Sequence, residues 1–338
     1  MMPILRFRTS VAALAVPLIL VVGPSSAGAQ AFVPAKGEGS VSVLFQDVAV
    51  KEHYNGTTPF NNGQIRTEIV LVDLTYGLTD KVVFSIGMPM VAAKYTGAGG
   101  HPLVDLSGPT VVFYGLNPLD DGTYHQTLQD LRFNLRYNVT KKGFWLTPFV
   151  GSVVASHDYD YFAHAAPGSH LNEVQFGVSA AKLLDSLVPG LLMQGTYSYG
   201  VIGRVLDFTP NRSNVDLELG YFLTPKLRLL ALSTGQLTHD GIDMVPNARA
   251  KLPALVYAHH DQVSRDNFLN LGGGAAFSLN EKIDIYGSMI HTVAKRNGHA
   301  IDQTKRPDRA RLLESVTNRR PFLRRRSPQR GHPAAVPA

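Results

Sequence analysis

Between residues 131 and 139 the chain alternates strictly. Leu131, Phe133, Leu135, Tyr137 and Val139 share one parity, and Arg132, Asn134, Arg136 and Asn138 the other. Successive side chains of an extended chain point to opposite faces, so a period of two predicts a strand with one apolar and one polar face. The pattern recurs at 82–90, where Val82, Phe84, Ile86, Met88 and Met90 share a face, at 173–180 and at 214–223. Less regular segments at 39–50, 64–76, 144–156, 191–202, 227–237, 267–278 and 283–293 bring the expected strands to eleven. Several run for ten residues or more. Strands of soluble proteins usually span about 5–6 residues, whereas a tilted membrane-crossing strand needs about 9–11. Length therefore favours a transmembrane barrel over a soluble β-sandwich, which would alternate in the same way.

The connections sharpen this reading. A short motif of aromatic, any residue, Leu or Val, Thr or Asn, any residue, Lys recurs between strands. It appears as Tyr76-Gly77-Leu78-Thr79-Asp80-Lys81, from Tyr137 to Lys142, from Tyr221 to Lys226 and from Phe277 to Lys282. Thr and Asn suit turns because their side chains bond nearby backbone. The aromatic before each turn is expected at the membrane boundary, as in an aromatic girdle; Trp145, the one tryptophan, lies just after one such turn. The remaining connections, near 51–63, 96–127, 157–171, 203–213 and 238–265, are long and polar. Outer-membrane barrels have short periplasmic turns and long outer loops, and a soluble sandwich has no physical reason for such alternation.

Composition narrows the class. Hydrophobic residues make up 44% of the 338 and charged residues 17%, but after Val22 no run of 18 apolar residues exists, so no later helix is expected to cross a membrane. Residues 1–29 read as a secretory signal peptide: Arg6 and Arg8 precede the apolar stretch from Val11 to Val22, and Ala27-Gly28-Ala29 supplies small residues for cleavage before Gln30. There is no cysteine, which excludes disulfides, thiolate metal sites and a lipoprotein anchor. The formal charge of +6 is uneven: residues 304–338 carry ten Lys and Arg against two acids, whereas 30–303 are net −4. The basic character belongs to the tail and gives no reason to expect nucleic-acid binding by the body.

Enzyme signatures are missing: no Gly-x-Ser-x-Gly, Walker loop or His-Glu-x-x-His is present. Ser288 and His291 have opposite strand parity, which argues against their pairing as nucleophile and base. Gly272-Gly273-Gly274 sits within an expected strand and is read as a place where a neighbouring strand or side chain approaches closely. Histidines and acids gather in the long connections, at His157-Asp158-Tyr159-Asp160 with His164 and His170, at His239-Asp240 with Asp243, and at His259-His260-Asp261. Imidazole and carboxylate can bind metals, but no spacing here fixes a coordination geometry, so these residues read as solvated loop polarity. No catalytic residue, metal or cofactor is expected.

If the apolar stripes face lipid, the charges on the opposite parity line the interior. Arg132, Arg136, Glu173, Asp216, Glu218 and Arg228 are the candidates for setting solute selectivity; the competing reading pairs them across a plugged barrel. Arg66 and Glu68 share parity with Val70 and Val72, which marks a bulge or a strand end outside the membrane. The C-terminus breaks the pattern. Bacterial barrels of this kind have even strand numbers, yet after the eleventh expected strand the chain passes His299-Ala300-Ile301-Asp302 into an Arg-rich tail with five prolines. The last strand reads as missing, or replaced by a disordered basic tail over 304–338. That tail is an extension with an earlier strand overlooked, a partner-binding arm, or, the preferred reading, a frameshift product of GC-rich DNA.

Gly37-Glu38-Gly39, the run from Leu74 to Lys81 followed by Met88-Pro89, Asp130-Leu131-Arg132-Phe133, Leu217-Glu218-Leu219-Gly220-Tyr221 and Leu271-Gly272-Gly273-Gly274 resemble the phenol-degradation MetA-pathway family of outer-membrane transporters over about residues 37–302. The resemblance implies a monomeric barrel of about twelve strands that admits small, hydrophobic or aromatic compounds. The expectation is therefore an all-β, transmembrane antiparallel up-and-down β-barrel at 30–303, exported to the outer membrane, with lipid and a small-molecule solute as its partners. Its expected function is passive uptake, the alternative being a structural or adhesive barrel whose outer loops bind a ligand.

Overall fold

The computed structural model describes residues 31–305, apart from 141, 142 and 281, together with 313–315. The expected signal peptide and nearly all of the expected tail lie outside the described residues. Twelve antiparallel strands form one closed path: β1 (Gly39–Asn55), β2 (Gln64–Gly77), β3 (Val82–Thr96), β4 (Leu131–Tyr137), β5 (Phe144–Val154), β6 (Glu173–Leu183), β7 (Leu191–Ile202), β8 (Arg212–Phe222), β9 (Leu227–Thr238), β10 (Asn267–Ser278), β11 (Ile283–Arg296) and β12 (Gly298–Lys305). Each pairs with its sequence neighbours, and β12 pairs with both β11 and β1. This is an up-and-down transmembrane barrel, and the eleven strands read from alternation are all present.

The twelfth strand is the one the alternation does not reveal. It is short, running two residues past the expected end of the barrel at 303, and it pairs from Tyr54↔Gly298 to Asp47↔Thr304 on one side and from His291↔Asp302 to Ser288↔Lys305 on the other. Leu313–Ser315 pairs further along the same seam with Ser40–Ser42 of β1 and with Ile283 and Asp284 of β11. Closure matters because an unpaired edge would leave backbone polar groups facing lipid, at several kcal/mol each. The short β12 therefore removes much of the edge that a missing strand would expose.

The outward face is apolar, with Leu135 of β4, Phe176 of β6, Leu217 of β8 and Leu271 of β10 all more than 40% exposed. Tyr76, Tyr137, Tyr221 and Phe277 stand outward beside the short turns, where a girdle belongs. Trp145 does not join them. It is 6% exposed and points inward, 4.9 Å from the Phe32 ring, because β5 has just left its turn on the inward parity. Ala31 packs there too, its carbonyl accepting from the Thr147 hydroxyl at 2.8 Å. The turns follow their motif: Thr79, Thr224 and Asn280 each accept, through a side-chain oxygen, the backbone N–H groups two and three residues on. At Arg66 the pairing of β2 with both neighbours is continuous, so no bulge lies there; its guanidinium pairs with Asp47 on the outer face. Among the described residues, no helix is long and apolar enough to cross a membrane.

Candidate functional site: a roofed lumen

The inward parity builds a cavity of about 810 Å³ inside the barrel. Arg132, Arg136, Glu173 and Asp216 line it. The other two candidates sit together on adjacent strands, with Arg228 of β9 3.7 Å from Glu218 of β8. Glu173 is 2% exposed and forms an ion pair with Arg212, which also lines the cavity. Sequence reading missed Arg212 because it precedes the clean alternation at 214. A Cβ on Gly200, on the strand between them, would lie 2.1 Å from a Glu173 carboxylate oxygen, so this glycine leaves the space in which the carboxylate sits.

Beside these charged groups, Leu44, Leu230 and Tyr286 form an inward apolar cluster with Leu71, Leu232 and Ala276; Leu230 and Leu232 share β9 with Arg228, so charged and apolar side chains are mixed on the inner wall. The triple glycine serves close packing between strands: a Cβ on Gly272 or Gly274 would meet the β11 backbone at 2.1 or 2.2 Å.

Long connections roof the end of the barrel away from the short turns. A buried carboxylate ties two of them together: Asp120 accepts from the backbone N–H groups of His101, His164 and Ala165 at 2.8, 3.2 and 3.0 Å. Tyr159 donates to Asp130 at the start of β4, and its hydroxyl accepts from His170 N–H. The connection 239–266, which carries short helices at Ala248–Lys251, Ala254–Ala258 and His260–Val263, completes the roof, with Gln262 donating to the Ser169 carbonyl at 2.8 Å. Asp243 accepts from Arg296 and Asn297 and pairs with Arg265.

Beneath this roof lies a second cavity, a vestibule of about 590 Å³. Phe60, Tyr161, Tyr257 and Phe268 give it aromatic walls, and Gly168, Ser169 and Phe268 line both cavities, so the two meet there. Histidines from distant parts of the chain also converge on it: His53, His101, His164, His260 and His299. Burial, followed by the neighbouring His101, pushes the His164 imidazole down to about 3, so it is neutral at pH 7. Of the histidines singled out in the sequence, His164 and His260 belong to this group, while His239 lies elsewhere, against Ser213 and Tyr199. His53, His101 and His299 carried no local signal, because only the closed barrel brings strand ends and loops together.

No family model matches the sequence, and neither does any curated protein. Solved structures do resemble the fold. An outer membrane channel from Pseudomonas putida F1 superposes with a TM-score of 0.63 at 13% identity, covering 86% of this chain and 100% of that one. The beta domain of a Bordetella autotransporter gives 0.45 at 10% identity over 83% and 100%, and the CymD monoaromatic hydrocarbon channel 0.40 at 9% over 84% and 90%. The first of these is a likeness of barrel fold.

Proposed function

We propose that the protein is an outer-membrane channel for passive uptake of small, hydrophobic or aromatic compounds. The observation that carries this reading is an aromatic-walled vestibule that adjoins a lumen whose wall carries both charged and apolar side chains. An apolar or aromatic solute finds apolar side chains along the route, while the charged groups keep the lumen wet and exclude solutes of the wrong charge. Arg132, Arg136, Glu173, Asp216, Glu218 and Arg228 are the residues proposed to set that selection. The resemblance to the MetA-pathway transporters supports the same solute class. In this reading residues 1–29 are a cleaved signal, the barrel acts as a monomer, and no covalent chemistry is involved.

Swelling of liposomes that contain the refolded protein tests the proposal. Faster swelling than empty liposomes in arabinose, and faster still in benzoate of equal osmolality, is the expected result. Swelling at the rate of empty liposomes for both would overturn it and leave a structural or adhesive barrel with ligand-binding loops as the better account.

A further inference from the structure

Three of the vestibule histidines form a set that the channel reading does not use. His53 is near the end of β1, His299 lies directly across from it on β12, and His164 comes from the connection between β5 and β6. One ring nitrogen of each lies within 4.8 Å of one from each of the other two. The rings of His53 and His299 meet edge to face with centroids 4.6 Å apart, and those of His53 and His164 at 5.1 Å.

Their hydrogen bonding is as informative as their spacing. His53 is 4% exposed, and neither of its ring nitrogens has a hydrogen-bond partner. A buried polar group left without a partner is costly, so a buried ring with both nitrogens unpartnered, set between two other imidazoles, is suited to take up an ion. In His164, Nε2 lies 3.1 Å from the Asn62 side-chain nitrogen and 3.2 Å from the Gly99 carbonyl oxygen, and Nδ1 is buried without a partner. Nε2 is thus held by outer polar groups and Nδ1 is the nitrogen left for an ion; metal-binding histidines are commonly oriented by such an outer partner on the other nitrogen.

We propose that His53, His164 and His299 bind one divalent transition-metal ion of the zinc, nickel or copper class. Neutral imidazoles suit these ions, whereas calcium and magnesium require oxygen ligands. Nitrogens bound to a tetrahedral zinc at about 2.0–2.1 Å stand roughly 3.4 Å apart, so small ring rotations from the observed spacing complete the site. All three residues line the vestibule, which gives the ion a way in and leaves a fourth position open to water or a small ligand. A bound ion would link the β5–β6 connection to the seam between the first and last strands. This site stands whether or not the barrel conducts solute.

The test uses the untagged full chain refolded in detergent, dialysed against Zn²⁺ and, separately, Co²⁺. The expected result is one ion per chain and the intense visible absorption of four-coordinate Co²⁺. His53→Ala, His164→Ala and His299→Ala should each weaken binding by more than about 100-fold, beyond the roughly 10–100-fold lost with an outer partner, and His239→Ala should leave it unchanged. Faster migration of unheated samples on a gel reports barrel closure of every variant. If a strand variant fails to close, His164→Ala, in a loop, decides the question. A wild-type chain that binds no ion overturns the proposal, as does binding that survives all three substitutions.

Discussion

Glu173 keeps a carboxylate inside a barrel wall because Arg212 reaches it past a strand that carries only Gly200 at the crossing point. Gly200→Ala places a methyl group where the carboxylate sits, and overpacking of this kind costs about 1–3 kcal/mol. The variant is expected to lose its compact gel band at a lower temperature than the wild type. Glu173→Gln is expected to leave the cavity more positive and shift the reversal potential in a salt gradient toward anions; an unchanged potential would remove Glu173 from the selecting set. Alternation in the sequence was enough to place Glu173 on the inward face. Its partner was not legible, because which cation meets it depends on the pairing of β6, β7 and β8. The vestibule histidines were hidden for the same reason: His53 and His299 are 246 residues apart and become neighbours only through the register of β1 with β12.

Strands with one face in lipid and the other in the lumen were legible wherever each parity kept its chemistry. The short turns were legible from one residue each, the Thr or Asn that binds the backbone ahead of it. Gly298–Lys305 was not, because its eight residues mix polar and apolar side chains on both parities. The hairpin that leads into it is built on Asn297, fully buried with φ of 57°. Its side chain accepts from Gly56 and Met244 N–H and donates to Asp243 and the Arg265 carbonyl. Alanine removes all four bonds and tolerates the left-handed backbone poorly, so Asn297→Ala is expected to cost about 3 kcal/mol, read as earlier melting and faster proteolysis of 239–266. Asp243 gives that connection a pH dependence. The Arg296 hydrogen bond, together with Asn297 and the charge of Arg265, holds its carboxyl well below the usual range. A depressed carboxylate contributes its stabilisation above the ordinary value of about 3.9 and loses it as pH falls further. Hydrogen exchange across 239–266 should therefore be slower than in Asp243→Asn by a constant factor from neutral pH down to about pH 4, and the difference should shrink as pH falls further.

At the scale of the molecule, closure converts twelve amphipathic strands into a wall with lipid on one side and a polar, partly apolar cavity on the other. The periodicity announced the wall; the roof, the vestibule and the inward N-terminal segment at Trp145 depend on contacts between distant residues and had no local pattern. The absence of native cysteine allows the central claim to be tested one position at a time. Asp216 lines the cavity, and its neighbour Leu217 is 52% exposed on the outer face. Asp216→Cys and Leu217→Cys, each treated in a planar bilayer with a charged, membrane-impermeant thiol reagent, are the direct comparison. A solute path through the lumen predicts that the reagent cuts conductance at Asp216→Cys and leaves Leu217→Cys unchanged. Equal effects at both positions, or none at Asp216→Cys in a conducting barrel, would contradict it.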